Sequence, residues 1–118
     1  MQDYRRLRVW QKAHQLAVEA HGLSEYLQAP KGWALREQLL RAAISIPSNI
    51  AEGAGRGSDA DFKRFLWYSI GSCNELESDL ILGAEISLIP RDILARLRTE
   101  VSEVRQALTR LVQVLANS

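Results

Sequence analysis

One cysteine, Cys73, stands in a chain of 118 residues. A lone cysteine excludes an internal disulfide and any multi-cysteine metal site, and it fits a reducing, cytoplasmic setting. The two histidines, His14 and His21, lie seven residues apart, and neither has a Glu three residues before it. The Glu-x-x-His pairs of a di-iron helical bundle are therefore missing, and both histidines read as solvated or interface groups. No apolar run approaches the eighteen or more residues of a membrane span, and MQDYRRLRVWQ has no apolar segment behind its charges to make a signal peptide. A soluble protein that does not engage a membrane is expected. Net charge is scarce too: fifteen basic against fourteen acidic residues leave +1, without the strong basicity of many nucleic-acid binders.

What is present is helical periodicity. Four long segments carry it, separated by breaks at QAPKG, GRGS and LIPR, and no window alternates with the period of a strand. The first helix is predicted over about 7–28, with Trp10, Ala13, Leu16, Ala17, Ala20, Leu23 and Leu27 on one side. The second, over 33–54, aligns Leu35, Leu39, Ala42, Ala43, Ile46 and Ile50 and runs out at Gly53, Gly55 and Gly57, read as a turn that uses left-handed backbone. Ser58-Asp59-Ala60-Asp61 matches a capping box in which the Ser58 hydroxyl accepts from the Asp61 N–H. It opens a third helix over 59–86, lined by Phe62, Phe65, Leu66, Ser69, Ile70, Cys73, Leu76, Leu80, Ile81 and Ala84. The fourth, over 90–116, begins at Pro90, which a first helical turn tolerates. Its Leu94, Leu97, Val101, Val104, Leu108, Leu111 and Leu115 form a strict heptad seam. Four helices of similar length with short links predict one all-α domain, an up-down-up-down antiparallel four-helix bundle that needs no cofactor to fold.

Catalytic chemistry finds little purchase. Cys73 falls in a stripe expected to be buried, with no histidine on its own helix face, so it reads as a structural thiol. GAGRG at 53–57 follows a helix and not a strand, and it lacks the spacing of a phosphate-binding loop. The start of the third helix near Arg56 remains a place where an anion could sit. No catalytic, cofactor-binding or metal-binding set is expected, and the chain is read as a non-enzyme.

Two features exceed the needs of a monomer. Pro47 removes the N–H that would bond to the Ala43 carbonyl, so a kink is expected in the second helix. Ser45, Asn49, Glu52 and Arg56 flank the apolar stripe there; either Ser45, Ser48 and Asn49 repair the kink locally, or Asn49 and Glu52 make a polar contact to a neighbouring helix or subunit. On the third helix, Trp67, Gly71, Asn74, Ser78 and Leu82 line a second face, with Tyr68 further round. Small residues beside exposed aromatics favour close approach by another surface. Asn49, Glu52, Trp67, Tyr68, Gly71, Asn74 and Ser78 are the candidate oligomer interface.

The run RAAISIPSNIAEGAGRGSDADFKRFL, with LRVWQKAHQLAVEAHGL before it and GSCNELESDLILGAEI after it, resembles the bacterial four-helix-bundle family known as 23S rRNA intervening-sequence proteins. Its most specific part is Ser45-Ile46-Pro47-Ser48-Asn49-Ile50-Ala51-Glu52-Gly53. The resemblance implies a bundle that assembles into a five-membered ring and whose molecular role is largely undefined. Some relatives are encoded inside insertions in ribosomal RNA genes, which does not make their products rRNA binders. A related branch, the accessory proteins of diversity-generating retroelements, binds reverse transcriptase and nucleic acid through a markedly basic surface. This nearly neutral chain departs from that branch.

Two functions follow as expectations. The first is a non-enzymatic homo-oligomeric scaffold or adaptor, a homopentamer whose partner is itself. The alternative is an RNA- or DNA-binding ring acting through Arg5, Arg6, Arg8 and Lys12, with Arg56, Lys63 and Arg64, in concert with a nucleic-acid-processing partner. Its motivation is uneven charge: residues 1–64 hold ten basic against seven acidic side chains, and 65–118 hold five against seven. Ring symmetry would multiply a weak basic patch.

Overall fold

In the computed structural model, which describes residues 3–117, the chain forms α1 (Arg8–His21), α2 (Trp33–Ala54), α3 (Asp59–Glu85) and α4 (Arg91–Ala116). The described residues contain no strand, and no helix among them is long and apolar enough to cross a membrane. α2 packs most extensively on α3, then α3 on α4 and α1 on α2, and α4 closes the bundle against α1. α2 and α3 run antiparallel. Leu35 of α2 lies by Gly83 of α3, Ser45 by Ser72 and Gly53 by Phe62, so partner numbers fall as α2 advances. The result is a rod of 47 × 21 × 20 Å.

Local chemistry sets the helix ends. Ser58 caps α3, its hydroxyl accepting from the Asp61 N–H at 3.2 Å, as the capping box requires. α1 stops at His21, short of the expected 28, and gives way to a 3-10 turn over Gly22–Glu25. Gly22 at this point weakens the helix, yet Leu23 and Leu27 still reach the core. Pro90 stands just outside α4, with ψ of 144°. α3 ends with Ser87 at φ 64°. The Ser87 N–H donates to the Ala84 carbonyl at 3.0 Å and the Leu88 N–H to that of Gly83 at 2.9 Å, a Schellman closure in which glycine is the usual occupant.

Two expectations about packing change. The α4 seam buries Leu94, Leu97, Val101, Val104 and Leu108 but then takes Val112, leaving Leu111 and Leu115 half-buried. A helix of 3.6 residues per turn drifts about 20° per heptad from a 3.5 repeat, which moves the inward position on by one. Gly53 lies inside α2 and is buried, and no glycine among the described residues has positive φ. Gly53 therefore serves packing instead of a turn: a Cβ there would stand 2.8 Å from Phe65 Cβ and 3.0 Å from Phe62 Cδ1. Gly83 is equally enclosed, since its Cβ would run into the Ile89 side chain and come within 3.2 Å of Leu35 Cδ2.

α2 is continuous through Pro47. Around it the polar residues divide their work. Asn49 Nδ2 donates to the carbonyl and the hydroxyl of Ser45, both at 2.9 Å, while the hydroxyls of Ser45 and Ser72 share a 2.7 Å hydrogen bond across the α2–α3 seam. Ser69 Oγ donates to the Ile46 carbonyl at 2.9 Å. Ser72 and Ser69 of α3 thus join Ser45 and Asn49 of α2 in one polar strip beside the core.

Candidate interaction surface

The outer face of α3 is built by residues that the core does not use. Trp67 and Tyr68 are 55% and 48% exposed, and Leu82 and Ile86 continue the apolar surface along the helix. Gly71 lies at its centre, and an added Cβ there would meet nothing within 4 Å. A glycine in a helix interior costs roughly 0.5–1 kcal/mol relative to alanine, and nothing in the single chain requires one at this position. Ser78 is exposed on the same face. Asn74 is exposed as well, but its Oδ1 accepts from Arg105 Nη1 of α4 at 2.9 Å. Tyr68 stands edge-on to Phe65, and the Arg64 guanidinium lies over both rings. Of the two α2 members of the expected interface, Asn49 is half-buried in the polar strip and Glu52 forms an ion pair with Arg56 at 3.2 Å.

A second apolar surface was not visible in the helical stripes. Between α1 and α2 runs an open groove of about 470 Å³, lined by Tyr4, Trp10, His14, Ala17, Val18, His21, Leu40, Ile44, Pro47, Ser48 and Ala51. Trp10 and Ala17, expected in the core, only border it. Val18 and Ile44 project into solvent with more than half of their surface exposed, and His14 stacks on Trp10 with ring centroids 4.7 Å apart. The available signal was Ile44 itself, a β-branched apolar residue off the α2 stripe.

The basic candidates are spread along the bundle: Arg5 and Arg6 flank Tyr4, which lines the groove with Ala51 near the end of α2, Lys12 borders Glu100 and Glu103 midway along α4, and Lys63 and Arg64 lie beside Val112 and Ala116. Acids already hold several of them. Arg5 pairs with Asp3 at 3.1 Å, Arg56 with Glu52 and Arg64 with Asp61 at 3.4 Å, and Lys63 is half-buried. Arg6, Arg8 and Lys12 are exposed and form no ion pair among the described residues, although Asp3 feels the charge of Arg6 and Lys12 borders Glu100 and Glu103.

Cys73 is fully buried, and burial pushes its thiol up to about 12, so it is not a thiolate nucleophile at neutral pH. No group of three or more potential metal ligands occurs among the described residues. The most perturbed carboxyl lies at the α1–α4 seam. Burial first, and then the adjoining Glu19 carboxylate, push Glu100 up to about 7. Glu19 and Glu100 each keep one oxygen buried without a partner, and Arg96 is 3.9 Å from Glu19. On α3, burial works against the Glu77 carboxylate, but hydrogen bonds from Arg105 at 3.1 Å and Arg98 at 3.2 Å prevail and hold it below the usual range.

The model of the 23S rRNA-intervening sequence protein family matches residues 5–110. The chain belongs to that family. Among solved structures it is similar to a protein of unknown function from the S23 ribosomal protein family of Bacteroides thetaiotaomicron, with 28% identity over 88% of this chain and 97% of that one, and a TM-score of 0.83. No curated protein matches it.

Proposed function

We propose that this family member is a non-enzymatic, homo-oligomeric scaffold or adaptor that works as a five-membered ring. The observation that carries the reading is the exposed α3 face, where Trp67 and Tyr68 stand a turn before a helix-interior glycine with open space above it and Leu82 lies further along. Removing such aromatic and aliphatic surface from water is favourable by about 25 cal/mol per Å², and glycine lets a second backbone approach. The five-fold state is what the family resemblance implies. Light scattering in solution tests it: five times the chain mass of 13.3 kDa is expected, and a monomer at micromolar concentration would refute it.

The exposed Arg6, Arg8 and Lys12 favour a second reading in which the ring binds RNA or DNA. Counterion release would make that binding fall steeply with salt. Undetectable binding to mixed RNA and DNA at low salt excludes it.

A further inference from the structure

We infer that the α1–α2 groove of one copy receives the outer ridge of α3 from a second copy, with Arg41 facing Glu75 across the junction. The inference rests on the homo-oligomer reading and adds to it the two surfaces that meet.

Three observations lead there. First, groove and ridge are both largely apolar and exposed to solvent, and they are different surfaces. A contact between unlike patches is heterologous and passes head-to-tail from copy to copy, closing into a ring when the rotation allows. Second, they lie at the same height on the bundle. The Ser45–Ser72 and Ser69–Ile46 hydrogen bonds fix the α2–α3 register, which sets Trp67 near the level of Ile50 and Gly71 near that of Ile46. The α2 side of the groove runs from Leu40 to Ala51, the span that the ridge from Trp67 to Ser78 covers on α3. Copies related by rotation about an axis parallel to the bundle keep these heights and bring ridge to groove.

Third, the charges correspond. Arg41, next in sequence to the groove residue Leu40, is exposed and forms no ion pair among the described residues; Glu75 is exposed on the ridge and likewise forms none there. Arg41 lies four residues before Ser45, and Glu75 three after Ser72 on an antiparallel helix. At 1.5 Å per residue both are displaced toward the same end of the bundle, by about 6 Å and about 4.5 Å. One turn beyond Glu75, Asp79 is only 8% exposed and keeps its Oδ2 buried without a partner. A cation brought by a neighbouring copy would relieve both carboxylates at the ridge edge.

Charge exchange on the full-length chain tests the pairing. Arg41→Glu and Glu75→Arg, each alone, are expected to convert the assembled particle to monomer at micromolar concentration in light scattering, and the double exchange to restore it. Ile44→Ser, which trims the groove without altering charge, is expected to release monomers too. All three residues are exposed, so circular dichroism melts in dilute protein serve as the folding control. Wild-type protein that is monomeric overturns both the oligomer reading and this inference. Assembly that survives Ile44→Ser and both single charge reversals overturns the inference alone and leaves the groove to another occupant. A double exchange that stays monomeric overturns the Arg41–Glu75 pairing.

Discussion

α2 makes two seams, and they are finished differently. Toward α3 the contact is closed: Gly53 and Gly83 bring neighbouring groups to van der Waals distance, and Ser45, Ser69 and Ser72 bond across it. Toward α1 the contact is left open, with Val18 and Ile44 projecting beside a groove that Tyr4, Trp10 and Leu40 border. The same helix therefore has one side completed by its own chain and one side that is not. Close-packed seams resist any added volume, whereas open apolar ones tolerate trimming and await a partner. The difference separates the seam that holds the fold from the seam proposed above as a contact surface.

Breaking the closed seam should have the largest effect. Gly83→Val forces a branched side chain against Ile89 and Leu35, and a loss of about 3 kcal/mol is expected from overpacking, read as an urea midpoint lowered without a change of slope. The α1–α4 seam comes next, because Glu100 holds its proton in the fold to about pH 7. The native chain then binds more protons than the unfolded one between the ordinary glutamate range and neutrality, so stability falls as pH rises through that window. Glu100→Gln is expected to flatten the fall and to stabilise the chain at pH 8 by on the order of 1 kcal/mol once screening by solvent is allowed for, read as a raised melting temperature. A melting temperature of the wild type that does not decline from pH 5 to pH 8 would contradict this.

Ser87→Gly relieves a left-handed residue at the end of α3 and should stabilise by about 0.5–1 kcal/mol, within reach of calorimetry. The open seam gives the smallest change in the stability of the isolated chain: Ile44→Ser is expected to alter it by less than about 0.5 kcal/mol while abolishing assembly. A large loss of monomer stability instead would show that the groove is part of the core.

Most of the fold was legible because burial in this chain follows helical spacing. Leu39, Ile46, Ile50, Leu66, Leu76, Leu97 and Leu108 recur on stripes and are fully buried, and Ser58 announces α3 through a hydrogen bond to its own helix. What failed depended on relations between helices. Gly53 looks like punctuation in a Gly-rich run, and only the approach of Phe62 and Phe65 reveals it as a packing residue. The Glu19–Glu100 contact and the match of heights between ridge and groove depend on register, which spacing along one helix does not encode. Trp67, Tyr68 and Gly71 were legible as an outward face since they lie opposite their own stripe. The groove was not, since Trp10 and Ala17 share α1's apolar side yet sit at its margin.

Cross-linking across the two surfaces tests the central claim most directly. A chain carrying Ile44→Cys and Gly71→Cys places one thiol in the groove and one on the ridge. A disulfide requires Cα atoms within about 7 Å, and only one formed between copies, where ridge and groove meet, raises the mass on a gel. Under mild oxidation the account predicts a ladder of linked species on a non-reducing gel that ends at five copies and collapses on reduction. Protein that assembles normally yet shows only uncross-linked chains would contradict it.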